Sequence, residues 1–169
     1  MELLIIRHAI ACERDRHRWR DDDRRPLSPA GKRQARKAAA GLKAICKAPD
    51  RLLTSPLVRA RQTAHILTEF AGWPAPQEVP ELAPDAPVLS VLRLLEKDRS
   101  DRVALVGHQP DLGFLIAACL LGDGKAFSID LKKPAVVCVS FAGAPRAARA
   151  TLEWLATPRM LRAIRKGVR

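Results

Sequence analysis

Two stretches of this sequence place a histidine directly after a run of mainly apolar residues. The first run, residues 3–6, precedes Arg7 and His8, and the second, residues 102–107, precedes His108. A neutral imidazole can act as a nucleophile or a hydrogen-bond donor, and an arginine binds anions through a fixed charge and a planar set of N–H donors. A histidine after a strand is more often an ordinary loop residue, so each stretch alone is weak evidence for a site.

A third stretch, residues 54–64, adds a cation and a helix start. Its sequence is Thr-Ser-Pro-Leu-Val-Arg-Ala-Arg-Gln-Thr-Ala, which predicts a helix capped by Ser55 and opened by Pro56, with Arg59 in or near the first turn. The N–H groups at a helix N-terminus favour an anion. Two imidazoles, two guanidiniums and this helix start match the charge and shape of a phosphoryl group. Chemistry on phosphate is therefore the leading interpretation.

The elements around these residues must bring them together. Hydrophobic patterning predicts strands over residues 3–6, 50–54, 77–79, 102–107, 135–141 and 150–155, and helices over residues 30–46, 55–70, 88–98, 112–121 and 158–165. The four consecutive apolar residues of the first strand predict burial on both faces. Ser28, followed by a proline, is the predicted cap of the first helix. This alternation predicts an α/β three-layer sandwich, with a mainly parallel central sheet covered by helices on both faces and an antiparallel pair at the end of the chain. Because ligand sites lie at the carboxyl ends of parallel strands, His8 and His108 should converge if their strands are neighbours.

Composition limits the other classes of protein. The chain has 169 residues, 47% of them hydrophobic, and no linker, which predicts one domain over residues 1–169. Its net charge of +12 is compatible with nucleic-acid binding, but there is no Tyr and only four Phe and three Trp to stack on bases. The composition therefore argues against a nucleic-acid partner and favours a solvated basic surface.

Cysteines, histidines and apolar runs predict no disulfide, metal site or membrane segment. The four cysteines show no paired spacing, and the four histidines have no zinc-ligand spacing. The longest apolar run, residues 112–121, is far shorter than the ~20 residues that span a bilayer. We therefore expect a soluble cytoplasmic protein with no membrane partner.

The motifs resemble those of a known family, the histidine phosphatase superfamily with its phosphoglycerate mutase-like fold. Within it they are similar to the small SixA-type phosphohistidine phosphatases. The resemblance spans nearly the whole chain and is carried by residues 7–8, 25–31, 55–64, 80–82 and 107–110. One departure is Ala9, which stands where the family signature has glycine. It predicts a backbone after His8 that avoids glycine-only conformations, and we expect activity to be kept.

The resemblance implies roles for four residues. His8 would be the nucleophile that accepts the phosphoryl group, Arg7 and Arg59 would hold the phosphoryl oxygens, and His108 would bind the phosphate and stabilise its developing charge. A nucleophilic imidazole must be neutral, and nearby arginines favour that form. A backbone or carboxylate acceptor on its other nitrogen would select the reactive tautomer. No metal or other cofactor is implied.

The proton donor to the leaving group is less well defined. Glu81 is the first candidate by its place in the chain, and Asp111 is an alternative because it follows the second histidine closely. A phosphohistidine substrate needs only a weak acid here, because its P–N bond is more labile than a phosphate ester.

The sequence thus predicts a phosphatase acting on phosphohistidine in a protein, with inorganic phosphate as a product. The short chain leaves little material for a lid over a small substrate, which favours a phosphorylated protein. The alternatives are a broad phosphomonoesterase acting on small phosphorylated metabolites and a non-catalytic phosphate- or nucleic-acid-binding protein.

Overall fold

The computed structural model describes the backbone of residues 1–167 and the side chains of residues 1–164, and it confirms the α/β interpretation. Its strands are β1 (Glu2–Arg7), β2 (Arg51–Thr54), β3 (Pro76–Glu78), β4 (Arg102–Gly107), β5 (Val136–Phe141) and β6 (Ala150–Ala156). Its helices are α1 (Pro29–Ile45), α2 (Val58–Ala71), α3 (Val88–Leu95), α4 (Asp111–Leu121) and α5 (Pro158–Gly167). No helix within these residues is long and apolar enough to cross a membrane.

The six strands form one sheet in the order β3-β2-β4-β1-β5-β6. β4 pairs in parallel with both β1 and β2, which confirms that the two histidine-bearing strands are neighbours. β5 runs antiparallel to β1 and to β6, which confirms the predicted antiparallel pair. Because β5 is antiparallel, the segment that precedes it reaches the same sheet edge as the carboxyl ends of β1 and β4.

Strand β1 is buried on both faces. Leu4 and Ile6 pack in the core on the side of α1, α2 and α5, and Leu3 and Ile5 pack in the core on the side of α3 and α4. All four are at most 1% exposed. Burial of such side chains stabilises the fold by about 1.5–3 kcal/mol each, so β1 is a rigid support for the histidine that follows it.

The start of α1 is held close to the end of β1. The predicted cap is confirmed, because Ser28 Oγ accepts a hydrogen bond of 2.9 Å from the Gly31 N–H. A Cβ atom on Gly31 would lie 1.9 Å from the Ile10 carbonyl oxygen. Only glycine allows this approach, which brings α1 against the backbone two residues after His8.

Other boundaries differ from the sequence prediction. Ser55 is not the cap of α2, which begins at Val58 with Leu57 at its N-cap and no side-chain cap hydrogen bond. Helix α3 ends at Leu95, shorter than predicted. The segments over 10–25 and 81–87, interpreted as loops, overlap short 3₁₀ turns at Asp22–Arg24 and Pro80–Leu82.

Candidate active site

The two histidines converge at the carboxyl ends of β1 and β4. Arg7 is in register with Gly107, and the His8 N–H donates to the Gly107 carbonyl at 3.0 Å. The two imidazole rings have centroids 5.1 Å apart and are tilted by 51°. His8 is 5% exposed and His108 is 4% exposed. The predicted convergence is confirmed, and both rings are shielded from solvent.

The backbone sets the tautomer of His8. Its Nδ1 lies 2.6 Å from the Ala9 carbonyl oxygen, which can only accept a hydrogen bond, so Nδ1 carries the hydrogen. The lone pair of the neutral ring is then on Nε2. Burial, assisted by the charges of His108, Lys133 and Arg59, lowers the pKa of His8 to about 2. His8 is therefore neutral near pH 7, as a nucleophile must be.

His108 is also neutral and bound at one nitrogen. Its Nε2 lies 2.8 Å from Ser55 Oγ, and its buried Nδ1 has no hydrogen-bond partner among the described residues. Burial first, and then the positive charge of Arg59, lowers the pKa of His108 to about 3. An imidazole in this state can donate one hydrogen bond to an anion.

Arg59 lies in the first turn of α2 and is 5% exposed. Its Nη1 donates to the Asp22 carbonyl at 2.9 Å and lies 3.3 Å from the Asp22 carboxylate. Its Nε is buried and has no partner among the described residues. A buried N–H donor without an acceptor is costly, and an anion beside the histidines would remove this cost.

Arg7, like Arg59, is held by one backbone carbonyl and one carboxylate. Its Nη1 donates to the Leu131 carbonyl and lies 3.1 Å from the Asp130 carboxylate. Its Nε, like that of Arg59, is buried and without a partner in residues 1–167. Each arginine is thus held at one end of its guanidinium and keeps a second donor for a ligand.

The remaining motif residues tie α2 to the rest of the site. Thr63 Oγ1 accepts from the Ala9 N–H at 3.0 Å and donates to the Arg59 carbonyl at 2.7 Å. Gln62 Oε1 accepts from the Leu27 N–H at 2.8 Å. The expected backbone conformation at Ala9 is confirmed, because the non-glycine residues with positive φ in the described chain are Asp85 and Ala148. Its methyl group is fully buried without strain.

The two candidate proton donors lie in neighbouring segments. Glu81 is half-buried in the 3₁₀ turn after β3, which is held by the Val79 N–H donating to the Thr54 carbonyl at 2.9 Å. Asp111 opens α4, and its Oδ2 lies 3.4 Å from the Asp85 nitrogen. Burial raises the pKa of Asp111, which favours its protonated form. The choice between them stays a prediction.

Asp22 is a site residue that the sequence did not reveal. Its carboxylate lies 3.3 Å from Arg59 and 2.7 Å from Arg25, whose hydrogen bond is the main reason that the pKa of Asp22 is lowered. Arg25 is buried and also donates to the Cys12 carbonyl at 2.7 Å. The acidic run at 21–23 was visible in the sequence, but nothing local showed which of its residues turns inward.

Lys133 is a second residue that the sequence did not reveal. It is half-buried just before β5, and its positive charge acts on both His8 and His108. Burial and the neighbouring charge of Arg7 lower its pKa, and no carboxylate in residues 1–167 forms a salt bridge with it. The only local sign of a role for Lys133 was its position just before a strand. That position indicates a site residue only once β5 is known to be antiparallel, because the segment before β5 then lies at the sheet edge where the histidines are.

Acid should destabilise the folded protein through His8 and His108. Their folded pKa values of about 2 and about 3 lie below the ordinary 6.5, so between these values the unfolded chain binds more protons than the folded chain. Their contribution is fully present above pH 6.5 and is lost as pH falls through the acidic range. We expect the free energy of unfolding in urea to fall by about 1 kcal/mol per histidine between pH 7 and pH 5.5.

The matched control for this titration is His65→Asn, which alters an exposed histidine of α2 and should keep the full acid loss. His8→Asn and His108→Asn should each remove about half of it. An acid loss that is the same in all three variants would contradict the assignment of buried, neutral histidines.

Comparison with known proteins agrees with this geometry. The sequence model of the histidine phosphatase superfamily (branch 1) matches residues 3–83. The chain is 32% identical over 127 residues to the phosphohistidine phosphatase SixA of Escherichia coli, covering 73% of this chain and 76% of that protein. The chain belongs to the histidine phosphatase superfamily. Within the superfamily it is SixA-type, so it is a phosphatase that uses a histidine nucleophile.

Other relatives of this histidine phosphatase support the same placement. It is 37% identical over 140 residues to an uncharacterized protein of Picosynechococcus sp., covering 81% of this chain and 83% of that protein. The structure of SixA complexed with tungstate has a TM-score of 0.81 and 26% identity, covering 94% of this chain and 98% of that chain. A putative alpha-ribazole-5'-P phosphatase from Escherichia coli has a TM-score of 0.68, 20% identity and coverage of 94% and 97%, which shows the shared fold alone.

Proposed function

We propose that this phosphatase removes phosphate from phosphohistidine in a protein, through a covalent intermediate on Nε2 of His8. The observation that carries the proposal is the state of His8, which is buried and neutral, with Nδ1 bound to the Ala9 carbonyl. This leaves the Nε2 lone pair as the nucleophile at a site lined by arginines. A non-catalytic binder would need the arginines but not this activated imidazole.

The charges of the site fit a phosphoryl group. Four buried or half-buried cations (Arg7, Arg25, Arg59 and Lys133) and the exposed Arg14 outnumber the two carboxylates that pair with them, Asp22 and Asp130, so the surroundings of the two neutral histidines are net positive. A phosphate monoester or phosphoramidate dianion carries about −2. The protein thus supplies the charge that a metal ion supplies in other phosphoryl-transfer enzymes.

The proposed reaction has two displacements. Nε2 of His8 attacks phosphorus, the bond from phosphorus to the leaving nitrogen breaks, and that nitrogen receives a proton. Water then attacks phospho-His8 and gives a proton to the carboxylate that donated one in the first step, the bond from phosphorus to Nε2 breaks, and inorganic phosphate leaves the neutral imidazole. Arg7, Arg59 and Lys133 hold the phosphoryl oxygens, and His108 donates a hydrogen bond to the oxygen on which charge develops.

Glu81 is the proposed proton donor, with Asp111 as the alternative. Glu81 lies in the turn that follows β3 at the same sheet edge as the histidines. Burial raises the pKa of Asp111, which favours the protonated form that a proton donor needs.

Two observations favour a protein substrate over a small metabolite. The SixA proteins among the relatives described above are named as phosphatases of phosphohistidine or of protein histidine. The segments that border the site contain no helix longer than a three-residue 3₁₀ turn: residues 8–28 join β1 to α1, residues 79–87 join β3 to α3, and residues 122–135 join α4 to β5. None of these three segments forms a helical lid over the site. Broad hydrolysis of phosphorylated metabolites is the second candidate, since the fold is shared with an alpha-ribazole-5'-P phosphatase.

The test compares kcat/KM for a phosphohistidine-bearing protein with kcat/KM for a panel of phosphate monoesters, with a chelator present throughout. We expect the phosphoprotein to be preferred by at least about 10²-fold, because a small ester cannot use protein–protein contacts to lower its barrier. Higher kcat/KM for one of the monoesters would favour the metabolite phosphatase. Activity that requires added magnesium would contradict the metal-free mechanism.

Lys133 should contribute directly to phosphoryl binding. Replacing it with methionine keeps the length of the side chain and removes the charge, so kcat/KM should fall by about 10- to 100-fold, the range expected for a charged hydrogen bond. Lys132→Met is the matched control, because Lys132 is the exposed neighbour. Equal effects of the two substitutions would show that only the general basic charge matters.

A further inference from the structure

Ser55 is fully buried between β2 and α2, and its hydroxyl faces the second histidine. Its Oγ lies 2.8 Å from His108 Nε2 and accepts from the Leu57 N–H at 3.3 Å. The sequence predicted an ordinary helix cap at this position. The hydroxyl precedes the first residue of α2, but it forms a hydrogen bond with the His108 ring as well as with the Leu57 N–H.

The hydrogen-bond inventory selects one direction for the Ser55–His108 bond. The oxygen of Ser55 already accepts from Leu57, and among the described residues its hydroxyl forms no other hydrogen bond than the one with His108. If Nε2 donated to Oγ, the hydroxyl hydrogen would be buried without an acceptor, which is costly. The hydroxyl therefore donates to Nε2, and the hydrogen of the neutral ring lies on Nδ1.

Nδ1 is the nitrogen of His108 that has no protein partner. It is buried, and the His108 ring centroid is 5.1 Å from that of His8. An N–H at this position can donate to an oxygen of a phosphoryl group held between the two rings. The opposite tautomer would direct the lone pair of Nδ1 at that negatively charged oxygen, which is repulsive and forms no hydrogen bond.

We propose that Ser55 is a positioning residue that holds His108 in the Nδ1–H tautomer, so that the hydrogen of the ring faces the phosphoryl group. This assignment rests on the proposed function, and it adds to the site a residue that affects the reaction through His108. Each of the two histidines then has its tautomer selected by one neighbouring group. The Ala9 carbonyl selects the tautomer of His8, and the Ser55 hydroxyl selects that of His108. One ring presents a lone pair to phosphorus, and the other presents a donor to its oxygen.

The test combines ¹⁵N NMR of the histidine rings with kinetics. In the wild-type protein, His108 should show a protonated Nδ1, whereas Ser55→Ala should show a mixture of tautomers. The same variant should lower kcat roughly tenfold with a smaller change in KM, because the hydrogen bond strengthens as charge develops. Ser55→Thr keeps the hydroxyl and should retain both the tautomer and most of kcat.

Thr54→Val is the control, because the Thr54 hydroxyl is buried next to Ser55 and bonds to its carbonyl rather than to His108. It should leave the His108 tautomer unchanged. A protonated Nε2 in the wild-type protein, or a Ser55→Ala enzyme with the wild-type tautomer and kcat, would overturn the proposal. The NMR measurement needs no turnover, so a failure of the proposed function, seen as absence of a phosphoenzyme, is distinguished from a failure of this assignment.

Discussion

A His8→Ala variant should form no phosphoenzyme and should lose activity by about 10⁴-fold or more. The reason is that Nε2 of His8 is the nucleophile of the first displacement, and a methyl group has no lone pair with which to replace it. Brief incubation with a ³²P-labelled phosphodonor, followed by denaturation, should leave acid-labile label on the wild-type protein and none on the variant. Peptide mapping should place the label at His8.

The control for this experiment is His65→Ala, which removes an exposed histidine on α2 and should keep full labelling and turnover. The His8→Ala protein should also retain its fold, because the substitution leaves the apolar core residues of β1 and the backbone hydrogen bond from residue 8 to Gly107 in place. Wild-type turnover by His8→Ala, or label on another residue, would refute the proposed intermediate.

An Arg59→Ala variant should lower kcat/KM by about 10²- to 10³-fold, the range for loss of one transition-state hydrogen-bond donor in a buried site. Arg59 supplies both a charge and an Nε–H donor, and its Nη1 is bound to Asp22. Arg59→Lys should restore little of this activity, because a single ammonium group cannot bind Asp22 and the phosphoryl oxygens together. Steady-state kinetics on the preferred substrate measure both effects.

Arg61→Ala is the matched control on the same helix. Arg61 forms a surface ion pair of 3.2 Å with Glu78, and such pairs contribute little to stability or binding. Its kcat/KM should stay within about twofold of wild type. If Arg59→Lys were as active as wild type, the charge alone would be sufficient. The proposal that the guanidinium binds Asp22 and the phosphoryl oxygens at the same time would then be wrong.

Much of the fold was predictable from local patterns. The four apolar residues of β1 predicted a strand buried on both faces, and Leu3 to Ile6 divide between the two cores as that pattern requires. The Ser28 cap of α1 was also correct, because a capping hydrogen bond involves only neighbouring residues. The prediction was wrong at Ser55. The same local rule favoured a helix cap there, but the Ser55 hydroxyl forms a hydrogen bond with the distant His108 and does not cap α2.

The sequence by itself determined the order of the elements and the placement of Arg7, His8, Arg59 and His108 at the ends or starts of those elements. Only the tertiary structure decided the partners of those side chains. Asp22 is 37 residues from Arg59, and Ser55 is 53 residues from His108. Lys133 reaches the site because β5 is antiparallel to β1. These contacts depend on which segments the sheet brings to one edge, and residues so far apart in the chain leave no local pattern of spacing or polarity by which to recognise them.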